Sequence, residues 1–166
     1  MDPLTAPVEV DPTDARVRDL IETHLRLMYE SSPACSVHAM SADSLAGADA
    51  RFFAFFDGDR AVAMGALKRL SGAHGEVKSM YVRVDWRGTG LASRILSHLM
   101  DAAGAAGLTR VSLETGSQAA FAAARAFYER HGFSYCPPFE GYADDPESVF
   151  MTRTVQAVLH AEAFSP

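Results

Sequence analysis

The chain is poor in cysteine. Two occur in 166 residues, Cys35 and Cys136, far apart and in no Cys-x-x-Cys spacing. That argues against a disulfide framework or a metal centre and predicts free thiols in a reducing, cytoplasmic setting. Long apolar runs are also missing, so no membrane span is expected. The opening "MDPLTAPVEV" is acidic and broken by prolines, unlike a secretory signal. Positive charge is scarce: 15 Lys and Arg against 21 Asp and Glu give a formal charge of −6. A nucleic-acid partner wants a basic face, so the balance argues against one. It would suit a cationic ligand. Repeats and low-complexity tracts are absent. What is present is ordinary globular usage, 48% hydrophobic and 22% charged. The length suits one domain, 1–166, with its core over about 8–153.

Periodicity sets an order of elements. "VEV" at Val8 is a short strand. "DPTDARVRDLIETHLRLMYE" reads as a helix, with Asp11 placed to cap it and Val17, Leu20, Ile21, His24 and Met28 on one stripe. "SADSLAG" is a short second helix capped by Ser41. "RFFAFFDGDRAVAMGALKRL" is a hairpin turning at Asp57-Gly58-Asp59. "EVKSMYVRV" is a strand beginning at Glu76. A helix follows from Leu91 to Gly107, then the alternating strand "TRVSLET". "SQAAFAAARAFYERHG" is a helix stopped by Gly132, and "FSYC" and "SVFMTR" are strands around the loop "PPFEGYADDPE". The order predicts an α/β (α+β) fold, a mixed sheet with helices packed on it, in which Glu76 to Thr115 is a right-handed parallel crossover.

"VRVDWRGTGLASRIL", Val82 to Leu96, holds two glycines between the strand and the mouth of a helix. Unpaired N–H groups and the helix dipole favour an anion there, and glycines let a phosphate approach the backbone. A Walker loop needs a terminal Gly-Lys-Ser/Thr, which is missing. A dinucleotide fingerprint needs a third glycine or alanine where Ser93 stands.

"RGTGLA", Arg87 to Ala92, resembles the R-x-x-G-x-G/A signature of the GNAT (Gcn5-related) N-acetyltransferase superfamily. "ARAFYERHGF", Ala124 to Phe133, is similar to that family's A-x-x-x-Y-x-x-x-G-F helix end, and "GEVKSM" and "SLETGS" resemble a bacterial branch of small acetyltransferases. The resemblance runs from about Val8 to Arg153. It implies a mostly antiparallel sheet that splays at an acetyl-CoA site. The donor's pyrophosphate would lie on the N–H groups of Gly88, Thr89, Gly90, Leu91 and Ala92 beside Arg87, with pantetheine along the backbone of Met80 and Val82. It implies no metal. Where many members carry an asparagine that helps bind CoA, this chain has Phe121, and Ser117 or Gln118 stands in as the substitute.

Direct attack of an amine on a thioester needs a proton acceptor, an oxyanion donor and a proton for the leaving thiolate. By family position Tyr128 is the acid and Glu76 the base, with Glu114, at the end of the next strand, as the rival base. His38, between the first two helices, and Tyr142, Asp144 and Asp145, in the last loop, are candidates for the acceptor pocket. The implied partners are acetyl-CoA and an amine of a small molecule, an amino acid or a protein; a homodimer is left open. A non-catalytic acyl-CoA-binding module of the same fold is the alternative, and O-acyl transfer or a longer acyl donor is a third reading.

Overall fold

The computed structural model describes residues 4–156; residues 1–3 and 157–166 of the expected 1–166 domain lie outside that range. The strands are β1 (Val8–Glu9), β2 (Ala50–Asp57), β3 (Arg60–Arg69), β4 (His74–Val82), β5 (Arg110–Gly116), β6 (Ser134–Cys136) and β7 (Ser148–Thr154). The helices are α1 (Ala15–Ser31), α2 (Ala42–Gly47), α3 (Leu91–Ala105) and α4 (Ala122–Arg130). One sheet runs β1-β2-β3-β4-β5-β7-β6. All neighbours pair antiparallel except β4 and β5.

Helices cover both faces of the sheet because the alternating strands are apolar on both. On one face Val17, Leu20 and Ile21 of α1 and Leu45 of α2 pack on Phe52, Ala54, Met64 and Ala66. On the other, Leu91, Ile95, Leu96 and Leu99 of α3, with Tyr128 of α4, pack on Phe53, Phe55, Val77, Val111 and Leu113. The α1 stripe lies where its spacing predicts, but its cap differs. Asp14, not Asp11, is the cap, and its carboxylate accepts from the Arg16 N–H at 2.9 Å. Asp11 instead accepts from the N–H and hydroxyl of Thr13, closing a turn just ahead of the helix. That turn absorbs Pro12, which therefore lies ahead of the helix.

Two further boundaries matter for the site. β4 begins at His74, since His74, Gly75 and Glu76 pair with Arg110, Val111 and Ser112 of β5. Glu76 is therefore inside the sheet rather than at its first position. α4 also begins late, at Ala122, after a 3-10 turn over Ala119–Phe121.

Candidate active site

β4 and β5 pair over those three positions only. Beyond Glu76, β4 continues to Val82, while β5 turns its continuing ladder to β7, from Leu113↔Met151 to Gly116↔Ser148. The two strands part, and a cleft of about 560 Å3 opens between them. It is lined by β4 from Glu76 to Val82, by Glu114 to Gly116 of β5, and by residues of α1 and α4. Met80, Val82, Arg87 and Ala92 all reach it.

The glycine loop closes one end. Gly88 (φ +76°) and Gly90 (φ +84°) are left-handed, and Gly90 is the residue from which α3 starts. A Cβ at either would meet nothing within 4 Å. Glycine is therefore required by backbone conformation, and the space above the loop is open to a ligand. No side chain caps the N-terminus of α3, so its first N–H groups are left for an outside acceptor. Arg87 lies across the Tyr81 ring, 5.7 Å from its centroid, and donates to the Val82 carbonyl at 3.3 Å. The Thr89 hydroxyl donates to the Trp86 carbonyl. Leu91 anchors the helix in the core.

A bulge in β4 aims the opposite end. Met64 pairs with Tyr81 and Ala66 with Lys78, so Gly65 faces two residues, Ser79 and Met80. Ser79 takes φ +57°, a left-handed conformation for a residue with a side chain. The extra residue switches the alternation. Val77, Met80 and Val82 pack toward α3, whereas Tyr81 joins the α1 side. Gly65 makes room, since a Cβ there would lie 2.5 Å from Ile95 and 2.8 Å from the Met80 sulfur.

Glu76, at 3% exposed, is the most deeply buried carboxylate of the cleft. Its Oε1 accepts from Lys78 Nζ at 3.1 Å and from the Tyr142 hydroxyl at 2.5 Å, and Lys78 also donates to Tyr142 at 3.0 Å. Burial, then the Glu76 charge, raises the Tyr142 phenol and keeps it protonated. Tyr142 is held by Phe139, Phe150 and His38, the last at 5.0 Å edge-on. Glu114 stands across the parted strands. Burial raises its pKa, against the opposing pull of the Ser148 hydroxyl, His38 and Lys78.

Tyr128 of α4 is 8% exposed and reaches the cleft from the far wall, packed on Phe127 and Phe133. Burial raises its pKa, so the phenol stays protonated. The structure thus gathers Tyr128, Glu76, Glu114 and His38 around one opening. Tyr142 braces that opening through Glu76. Asp145 is positioned behind it, its carboxyl lowered first by the Ser36 hydroxyl and then by the Glu147 N–H. Ser117 is employed elsewhere: its hydroxyl donates to the Pro146 carbonyl at 2.6 Å, and its N–H to Glu147. Gln118 bonds Ser32 and Glu147, while Phe121 lines the cleft directly.

Two cleft residues go beyond those the motifs single out. Lys78 shares a face with Glu76 at an i, i+2 spacing, which was a readable signal. His24 lies on the apolar stripe of α1, which disguised it. It is 8% exposed, stacks on Tyr81 at 5.4 Å, lines the cleft, and is lowered by burial to about 4.

The fold, with its parted sheet and left-handed glycine loop, is shared with a putative acyl-CoA N-acyltransferase from Klebsiella pneumoniae, at TM-score 0.75 and 26% identity, over 93% of this chain and 100% of that one. Residues 17–133 match the model of the acetyltransferase (GNAT) family, and the chain belongs to that family. It is 43% identical over 143 residues to the uncharacterized N-acetyltransferase YsnE of Bacillus subtilis (strain 168), covering 86% of this chain and 95% of that one. It is 37% identical over 144 residues to the IAA acetyltransferase of Azospirillum brasilense, covering 86% and 92%. The fold is shared with an aminoglycoside 6'-N-acetyltransferase complexed with coenzyme A, at TM-score 0.66 and 16% identity, over 92% of this chain and 98% of that one. The chain is an acetyltransferase of a family that uses acetyl-CoA. No described helix is long and apolar enough to cross a membrane, and no cluster of metal-ligating side chains occurs among the described residues.

Proposed function

We propose that the chain transfers the acetyl group of acetyl-CoA to a primary amine, with Tyr128 as the acid and a cleft carboxylate, Glu76 or Glu114, as the proton acceptor. The observation that carries this reading is the parting of β4 from β5. It leaves a length of strand edge open between the glycine loop and a carboxylate-lined end. An extended amide-bearing arm fits an unpaired strand edge, because it can use hydrogen-bonding groups that no neighbouring strand takes. The open backbone of Gly88 to Ala92 fits a diphosphate for the reasons already given.

Acetyl-CoA, when bound, supplies an activated thioester. The chain's residues do the rest. The carboxylates draw the proton from the amine, which must be neutral to attack. The bulged backbone at Ser79 and Met80 offers N–H donors for the developing oxyanion. Tyr128, kept protonated by its apolar surroundings, donates to the departing thiolate.

The test is calorimetric titration with acetyl-CoA, followed by release of free thiol against a panel of amines, amino acids and peptides. IAA joins the panel because one relative carries it in its name. Binding together with acceptor-dependent thiol release is expected. Absence of binding would overturn the donor assignment. Binding with no thiol release from any acceptor would leave a non-catalytic acyl-CoA-binding module.

A further inference from the structure

We infer that the acceptor is an organic amine with an apolar body and no carboxylate beside its amino group, rather than an α-amino acid. This rests on the acetyltransferase reading and narrows its acceptor.

The charge at the acceptor end carries the inference. Glu76, Glu114 and Glu147 line the cleft there, with Asp145 held close behind by Ser36. Lys78 and the His38 imidazole, whose charge lowers Glu114, lie among them, and Lys78 is already paired. Lys78 is 10% exposed and donates to Glu76 and to Tyr142, which itself donates to Glu76. An acceptor carboxylate could reach only the third N–H of this ammonium and would share its single charge with a carboxylate that is 3% exposed, so Glu76 would lose part of its counter-charge. That loss is severe for a buried pair. The cleft's other lysine or arginine is Arg87, which stands at the glycine-loop end beside Val82 and Tyr81. Among the described lining residues, then, three carboxylates at this end face Lys78 and His38, so a carboxylate next to the amine adds to an acidic excess.

An ammonium meets the opposite situation. Glu114 projects into the same space from β5, and desolvation makes an unneutralised carboxylate there costly. A ligand cation would relieve it.

A second observation describes the body of the acceptor. The α1 side of the cleft presents Leu27 and Met28, continued by Val37 and Ala39, with the small hydroxyls of Ser31, Ser32 and Ser36 between them. Set into this wall is His24, whose ring forms no hydrogen bond within the described residues although it is 8% exposed and lines the cleft. Burial holds the imidazole neutral. It offers a hydrogen bond to an uncharged polar group and no positive charge to an anionic one.

The test uses the full chain loaded with CoA and two matched pairs of probes, 2-phenylethylamine against phenylalanine and cadaverine against lysine. Binding is read by calorimetry and turnover by thiol release. The member without a carboxylate is expected to bind at least about tenfold more tightly in both pairs, the low end of what juxtaposed like charges cost. In Glu114→Gln its advantage is expected to shrink. Equal or tighter binding of the amino acids would overturn the inference, as would failure of all four probes to bind the CoA-loaded protein. Absence of CoA binding in the first titration would count against the acetyltransferase reading instead, so the two failures are distinguishable.

Discussion

His24 shows what one buried side chain does to the molecule as pH changes. An unfolded histidine takes up a proton near pH 6.5, and this one resists until about 4. Its contribution is therefore fully present above the unfolded value and is lost as the pH falls from about 6.5 towards about 4, roughly 3 kcal/mol in all. Glu114, with its raised pKa, works in the other direction and partly offsets this. In His24→Leu, urea midpoints between pH 7.5 and 4.5 are expected to fall less steeply than in the wild type; parallel slopes would show that His24 is protonated in the fold. Tyr128→Phe removes one hydroxyl from a packed ring, so acetyl-CoA affinity should hold while kcat falls by about a hundredfold, the low end for a general acid. Loss of affinity with unchanged turnover per complex would make Tyr128 a packing residue. At this scale the sequence was legible where a motif fixed the place, as for Tyr128. It was not legible for His24 or for the joining of Tyr142 to the Lys78–Glu76 pair. Periodicity files the first with the core, and Tyr142 lies 66 positions from Glu76, so only the folded chain joins them.

Among the elements, the turn into α3 and the bulge of β4 set the shape of the cleft, and each has its own test. Gly90 is at φ +84°, so any side chain there costs roughly 1–2 kcal/mol whatever the space. Asparagine tolerates that region better than most and has the shape of aspartate. Gly90→Asn should therefore keep measurable acetyl-CoA affinity, while Gly90→Asp should lose at least about a further tenfold by placing an anion at the helix N-terminus. Equal affinities would remove the pyrophosphate from this loop. Gly65→Ala forces a methyl against Ile95 and Met80, and overpacking of this kind costs about 1–3 kcal/mol. A lowered melting temperature is expected, with weaker acetyl-CoA binding because Met80 lines the cleft. The order of elements was readable from periodicity and turn residues, and the glycine loop from its place between strand and helix. The bulge was not read, although "EVKSMYVRV" breaks its alternation at Lys78-Ser79 and runs three apolar residues from Met80 to Val82, because two polar residues in succession do not by themselves announce that Ser79 turns left-handed. The start of α4 was misplaced at Ser117 because its hydroxyl bonds the Pro146 carbonyl and a 3-10 turn over Ala119–Phe121 precedes the helix, and that of α1 at Asp11 because Asp11 closes the turn ahead of it. Side chains that cap a helix also close the turns before it, and the sequence does not say which.

For the molecule as a whole, a donor that binds only the folded state should stabilise it by mass action. At a hundredfold excess over Kd the gain is about 2.7 kcal/mol. For a chain of this size that corresponds to roughly 5–10 °C in Tm. A Tm unmoved by saturating acetyl-CoA would contradict the proposed site.

The short seam between β4 and β5 has a further consequence. Three backbone pairs join the β2–β4 and β5–β7 parts of the sheet, alongside the shared packing of α3, while the β2–β3, β3–β4 and β5–β7 ladders are longer. Amide deuterium uptake should therefore be uneven across the sheet. Amides around Glu76 and Ser112 should exchange by opening of the seam, sooner than those in the middle of β3, whose flanking ladders must both break. A donor lying along the open edge would act as a removable strand. On its addition the slowing should concentrate on Val77 to Val82 and spread to the seam, leaving β1 and β2 unchanged. The chain would then exchange as two loosely joined parts when empty and as one when filled.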